Sequence, residues 1–281
     1  DLMSSRARAA MATWAAWAAT ALVLSMLLSS VTWQQTLKTL TFGMGAWPVL
    51  DLIHGLAVAF DFRTSASPQG GPQRIVAICL TSLGGSMIMC FLVGQPCGWL
   101  CDNVTLPAYI VAWALLHHSP NDIVYRVFSR SPAVATVLRM LDDLTWGVAI
   151  TTWGMEKTIG AAHLAPRGSA VAAILCGTIA GCGGGLLCDT ASLMSTEWKL
   201  KTPQALRTVS FAPTTALCCC VLAYALRDPH NVVSPFMLHN AGVAFVPLQP
   251  EDVMVVAATL TCSVSTIRST FEKLFENGKI V

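Results

Sequence analysis

Seven long, mostly apolar runs separated by short polar stretches dominate this chain. They cover residues 42–60, 74–95, 106–125, 133–155, 169–194, 209–226 and 253–267. An α-helix needs about twenty such residues to cross a bilayer. Backbone polar groups in lipid must be satisfied within the span, which favours helices. Charged residues make up only 11% of the 281 positions, against about 25% in a typical soluble domain. The expected fold class is therefore an all-α polytopic membrane protein with seven core transmembrane helices. An earlier run, Ala9 to Trp33, follows Arg6 and Arg8. It is a candidate secretory signal or extra N-terminal hydrophobic helix.

Lysine and arginine set the sidedness. Ten of them (Arg63, Arg74, Arg126, Arg130, Lys199, Lys201, Arg207, Arg268, Lys273 and Lys279) fall on one side of this topology, and three (Lys157, Arg167 and Arg227) on the other. The positive-inside rule puts the richer side, with the C-terminus, in the cytoplasm. The sequon Asn103-Val104-Thr105 then faces the lumen. A net charge of +2, with no basic face, argues against nucleic-acid binding. Neither HExxH nor a glycine-rich phosphate loop is present. The eleven cysteines show no metal-ligand spacing. Cys97 and Cys101 flank a short loop and could pair in an oxidising lumen.

The second and fifth spans each carry a glycine cluster, Gly84-Gly85-Ser86 and Gly183-Gly184-Gly185, and the third and sixth carry Pro120 and Pro213. Grouping the spans as three plus three gives two similar halves. A unit with an odd number of spans, repeated in tandem, inserts upside down the second time. The expected organisation is an N-terminal segment 1–41, a first repeat 42–130, a second repeat 131–227, a linker with the seventh span 228–270, and a tail 271–281. Glycine lets a backbone leave the helix or lets two helices meet closely. On the first reading the two clusters kink their helices and border a polar path. On the second they only pack.

Polar groups inside the spans are costly and mark water or a partner. Asp51 and His54 lie one turn apart on one face, with capping or helix-to-helix hydrogen bonding as the plain structural role. Pro120 and Asp122 are read the same way. Arg139 and Asp143 are four apart and could pair. Asp142, Asp143, Thr145 and Asp189 are candidate pore-lining groups, since acidic groups in a wet path favour cations. Asp142 and Asp143 point apart on a helix, which disfavours a catalytic pair. No enzyme activity is expected.

WPVLDLIHGL, LGGSMIMCFLVGQP, DNVT, SPNDIVYR, the fifth-span glycines through TEWK, and VSFAPTTAL occur in the order seen in trimeric intracellular cation (TRIC) channels. The chain resembles that family from about Gly43 to Leu226. The resemblance implies seven spans as an inverted repeat plus one, with glycine kinks at Gly84, Gly85 and Gly183 to Gly185. It also implies a homotrimer with one ion path per protomer. Such channels pass potassium ions across endoplasmic or sarcoplasmic reticulum as counter-ion current during calcium movement. No cofactor is implied. The membrane lipid at issue is a phosphoinositide, held in the family by basic groups of a Lys-Glu-Val motif and an arginine one turn later.

Here that motif reads Leu141-Asp142-Asp143, the arginine position is Thr145, and a basic residue before the fifth-span glycines is Ala180. Arg139 remains as a lipid-binding candidate, displaced about 200° around the helix. A cation-selective pore with weak lipid gating is expected. The alternative is a secondary transporter, because inverted repeats and broken helices serve alternating access equally well.

Overall fold

The computed structural model describes residues 31–39, 49–65, 67–161, 169–208, 210–231, 233–235, 239 and 246–276, with side chains to 269. Every regular element among them is helical. The longer ones are α1 (Val31–Lys38), α2 (Val49–Ser65), α3 (Gly71–Val93), α4 (Thr105–His118), α5 (Ile123–Arg130), α6 (Pro132–Val148), α7 (Ala170–Thr190), α8 (Phe211–Arg227) and α9 (Pro250–Glu276). Helix α6 continues through a π-helical stretch, Ala149–Glu156, and a last turn, Lys157–Ile159. α3 and α7 are each long and apolar enough to cross a membrane.

Local chemistry sets the helix ends. Pro72 sits in the first turn of α3, and Gly94 closes it in the left-handed region at φ 65°. Ser131 and Ser169 cap α6 and α7, accepting from the N–H groups of Val134 and Ala172. Pro120 ends the third apolar run early: α4 stops at His118, and Asn121 and Asp122 adopt positive φ before α5. The sequence places one span over residues 106–125. The missing Pro120 N–H donor and the constraint on the residue before it interrupt that span. At the C-terminus, α9 runs to Glu276, so the expected tail begins as helix. Most of the run Ala9–Trp33 lies outside the described residues.

α3 and α7 cross antiparallel. Gly84 and Gly85 of α3 meet Ala180, Gly183, Gly184 and Leu187 of α7. Toward the α3 C-terminus, Cys90 joins a cluster with Cys176, and toward its N-terminus Ala77 and Ile78 share one with Cys188 and Ala191. Both helices pass through their glycine clusters without a break. No turn is unwound at Gly84, Gly85, Ser86, Gly183, Gly184 or Gly185. The missing side chains are used for contact: a Cβ at Gly184 would lie 2.0 Å from the Thr81 carbonyl oxygen, and one at Gly85 2.5 Å from that of Ala180.

The outer surface of the bundle is apolar. Val76, Phe91 and Leu92 of α3, Ile110, Val111 and Leu115 of α4, Val171 and Leu175 of α7, and Leu217, Val221 and Leu222 of α8 are exposed. An apolar face on so many helices is far beyond what a water-soluble monomer shows. Four clusters of buried residues pack inside, among them Phe62, Leu116 and Ile78 on one side, and Ile150, Met155 and Cys220 on the other.

Adjacent glycines provide a test. Gly184→Ala forces backbone apart, and overpacking of this kind costs about 1–3 kcal/mol. At Gly185 an added Cβ meets nothing within 4 Å, so Gly185→Ala is expected to be neutral or to stabilise by up to about 1 kcal/mol through helix propensity. Thermal unfolding of the detergent-solubilised protein, followed by the loss of monodisperse material, checks the difference.

Candidate functional site

A cavity of about 530 Å³ lies beside the α3–α7 crossing. Its lining reaches both ends of the bundle. Trp99, Asp102 and Lys157 border it at the C-terminal end of α3, and Phe211, Ala212 and Ser265 at the other. The π-helical stretch contributes Ala149, Thr152 and Trp153. π turns are rare and concentrate at functional sites.

Four carboxylates line the cavity: Asp51, Asp102, Asp142 and Asp143. Asp51, on α2, accepts a hydrogen bond from the Tyr109 hydroxyl at 3.1 Å. One turn on, His54 Nδ1 lies 2.6 Å from Asp142 Oδ1, so α2 and α6 meet through a polar pair facing the cavity. The His54 ring is edge-on to Tyr109, with centroids 6.2 Å apart. Asp143 is hydrogen-bonded to the Ser265 side chain, and its carbonyl accepts from Thr261 Oγ1 at 2.7 Å. Asp102 opens the loop before α4. Burial pushes its carboxyl up, but the N–H groups of Thr105 and Val104 and the Thr105 hydroxyl outweigh this and hold it below the usual carboxylate range. It is therefore ionised at neutral pH.

The structure brings many of the sequence-derived candidates together. Asp142, Asp143 and Thr145 line the cavity, and so do Gly85, Ser86, Gly184 and Gly185, while Gly84 and Gly183 pack at the crossing itself. Asp51 and His54 also line it, which a purely structural role for them did not anticipate. Three candidates fall elsewhere. Asp189 is engaged by Lys201 at 2.8 Å and by the Gln204 N–H, away from the cavity. Arg139 pairs with Asp61 of α2 rather than with Asp143, because the α2 carboxylate offers both oxygens across the helix interface. Asp122 holds Arg63 at 2.8 Å, and the guanidinium also donates to the Leu116 carbonyl freed by the Pro120 interruption. Trp99, Tyr109, Trp146, Trp153 and Lys157 were not singled out from the sequence. Their only signal was polar or amphipathic chemistry at the ends and faces of spans.

Several polar atoms facing this space lack protein partners. The Ser82 hydroxyl and the indole N–H groups of Trp99 and Trp146 are buried and unbonded to protein, and all three residues line the cavity. Such groups call for water or a ligand. Among the described residues no cluster of three His, Cys, Asp or Glu side chains could hold a metal ion.

Comparison with known proteins fits this geometry. The family model for the TRIC channel matches residues 75–247. This chain belongs to the TRIC channel family. It is thus an integral membrane channel protein and not an enzyme. The "Trimeric intracellular cation channel type B-B" of Xenopus laevis is 23% identical over 233 residues, covering 73% of this chain and 78% of that protein. The type B channel of Danio rerio is 25% identical over 183 residues, 61% of this chain and 60% of that one. Among solved structures, a trimeric intracellular cation channel from C. elegans without Ca2+ aligns with TM-score 0.61 and 20% identity, over 88% of this chain and 96% of its own. A structure described as the basis for the activity of TRIC counter-ion channels in calcium release gives 0.59 and 19%, over 80% and 93%. At these identities the structural likeness establishes the fold alone.

The pair between α2 and α6 makes a double-mutant cycle informative. His54→Ala leaves the Asp142 carboxylate with one partner fewer and is expected to cost about 1–3 kcal/mol. Adding Asp142→Ala to it should recover part of that loss. Additive effects in thermal unfolding would show that the two side chains act independently.

Proposed function

We propose that this protein is a potassium-conducting cation channel of the endoplasmic reticulum membrane, supplying counter-ion current when calcium moves. On this reading it assembles as a homotrimer with one path inside each protomer. The observation that carries the reading is the charge of the cavity lining. Four aspartates face it, against one lysine and one histidine. Rings and clusters of carboxylates in a wet passage concentrate cations and repel chloride. The names of the relatives and of the counter-ion channel structure point the same way.

The path runs beside the glycines rather than through a gap in either helix. Close contact of α3 and α7 at Gly85 and Gly184 holds two backbones together, and the space next to them stays open because no side chain fills it. We assign α2, α3 and α4 to a first repeat within 42–130 and α6, α7 and α8 to an inverted second repeat within 131–227. α9 is the additional span in 228–270. The antiparallel α3–α7 crossing is what such a two-fold relation would place on its axis. We assign residues 1–41 to an N-terminal segment, whose helix α1 packs against α9 through Leu37 and the Lys38–Asp252 pair, and 271–281 to a cytoplasmic tail. Arg139 is held by Asp61, so a phosphoinositide headgroup finds little free positive charge along α6. Lipid control of this channel is accordingly weak.

Recordings of the purified protein in planar bilayers under a potassium chloride gradient test the proposal. Ohmic single-channel current is expected. Saturable flux coupled to a second solute would favour a transporter with alternating access. A carboxylate facing water at close range is worth on the order of 1 kcal/mol to a cation. Asp142→Asn and Asp143→Asn should therefore each lower the potassium-over-chloride permeability ratio by about fivefold. Unchanged selectivity in the double variant would overturn the role given to these residues.

A further inference from the structure

Lys157 stands out for the company that it keeps. It closes one end of the cavity, just after the π-helical stretch. Its ammonium donates to the Cys90 sulfur at 3.4 Å and to the Pro96 carbonyl at 3.2 Å. Among the described residues no carboxylate lies within salt-bridge distance of it. A cation held by a thiol and a carbonyl is placed to offset negative charge that develops on that sulfur during a reaction. Cys97 follows Pro96 directly and packs against the cluster containing Cys90, within hydrogen-bonding reach of its thiol. Gly94, in its left-handed conformation, turns the chain so that the segment after α3 folds back on the helix end: its N–H and that of Gln95 return to the carbonyls of Phe91 and Cys90.

We infer that Cys90 and Cys97 form a thiol–disulfide modification site at this end of the cavity, with Lys157 as its positioning residue. The partner is a small-molecule or protein disulfide. Cys97 is half-buried and Cys90 is 1% exposed, so Cys97 is the entry thiol. Its thiolate attacks one sulfur of glutathione disulfide and releases one glutathione. The Cys90 sulfur, its proton lost to water and its charge facing the Lys157 ammonium, then attacks the Cys97 sulfur and releases the second glutathione. Two protein thiols lose two electrons and two protons, and one glutathione disulfide becomes two glutathione thiols, so the exchange balances. Burial pushes the Cys97 thiol up, so the first step quickens as pH rises. The product removes both thiols from this end of the cavity and leaves the Lys157 ammonium facing a disulfide sulfur.

The local sequence suggests a different pair, Cys97 with Cys101. Cys101 is exposed and lies on a four-residue helical turn, Gly98–Cys101, whereas Cys90 is already packed with Cys97 and is reached by the lysine. The site does not depend on ion conduction, and its test reads chemistry alone. The full chain in lipid nanodiscs is equilibrated with glutathione and glutathione disulfide at set ratios, quenched with iodoacetamide, digested and mapped by mass spectrometry. A Cys90–Cys97 linkage is expected as the main product. Its yield should follow the redox ratio and be unchanged by Cys101→Ser. Its rate should fall about tenfold in Lys157→Met and be retained in Lys157→Arg. A dominant Cys97–Cys101 linkage, both cysteines alkylated under excess glutathione disulfide, or equal rates in Lys157→Met would overturn the inference.

Discussion

Backbone contact between α3 and α7 is the constraint from which the rest of this architecture follows. At Gly85 and Gly184 the two helices approach so closely that a single added methyl would collide with a carbonyl oxygen. In a lipid environment helices gain little from hiding apolar surface from water, and association rests on dispersion at short range and on polar contacts. Small residues make that range reachable. The same principle recurs at Gly147, whose position permits α9 to lie against α6 with Ala258 at the contact.

Close approach at one level leaves room at the next. Glycine removes side chains from the interface and from its border alike, so the space beside the crossing is filled by no bulky group. Side chains from α2, α4 and α6, together with the loop before α4, reach into that space with polar ends: Asp51, Tyr109, Asp142 and Asp102. Hydrogen bonds between helices hold these ends in place, as in Tyr109 to Asp51 and the His54–Asp142 pair. The basic side chains are mostly committed elsewhere. Arg63 is held by Asp122, Arg139 by Asp61 and Arg227 by Glu156. The cavity therefore keeps more negative than positive groups, not by an excess of acid in the chain but by where the pairs form.

Particular residues show how far the sequence could be read. Apolar run length located α3, α7 and α8 within a few residues, because span length is fixed by bilayer thickness. The run over 106–125 was read as one span, although its Pro120 interruption is visible in the sequence. Arg139 and Asp143 satisfied the spacing rule for a pair on one helix, yet Arg139 chose Asp61 from another. Asp189, an acid just after the fifth-span glycines, ranks with Asp142 as a pore-lining candidate by sequence, but a loop lysine claims it. Local rules rank partners within one element and carry no information about which neighbour arrives from outside.

By itself the sequence determined that this chain is a set of apolar helices, where most of them begin and end, which positions are small enough for helices to touch, and, through its ordered motifs, the family it resembles. These depend on periodicity, capping and span length, all of which are local. Only the tertiary structure decided that the glycine clusters remain helical, that His54 meets Asp142, and that four carboxylates face one cavity while the arginines turn to other partners. Those outcomes depend on distances between elements far apart in the chain, and such distances exist only once the helices have packed.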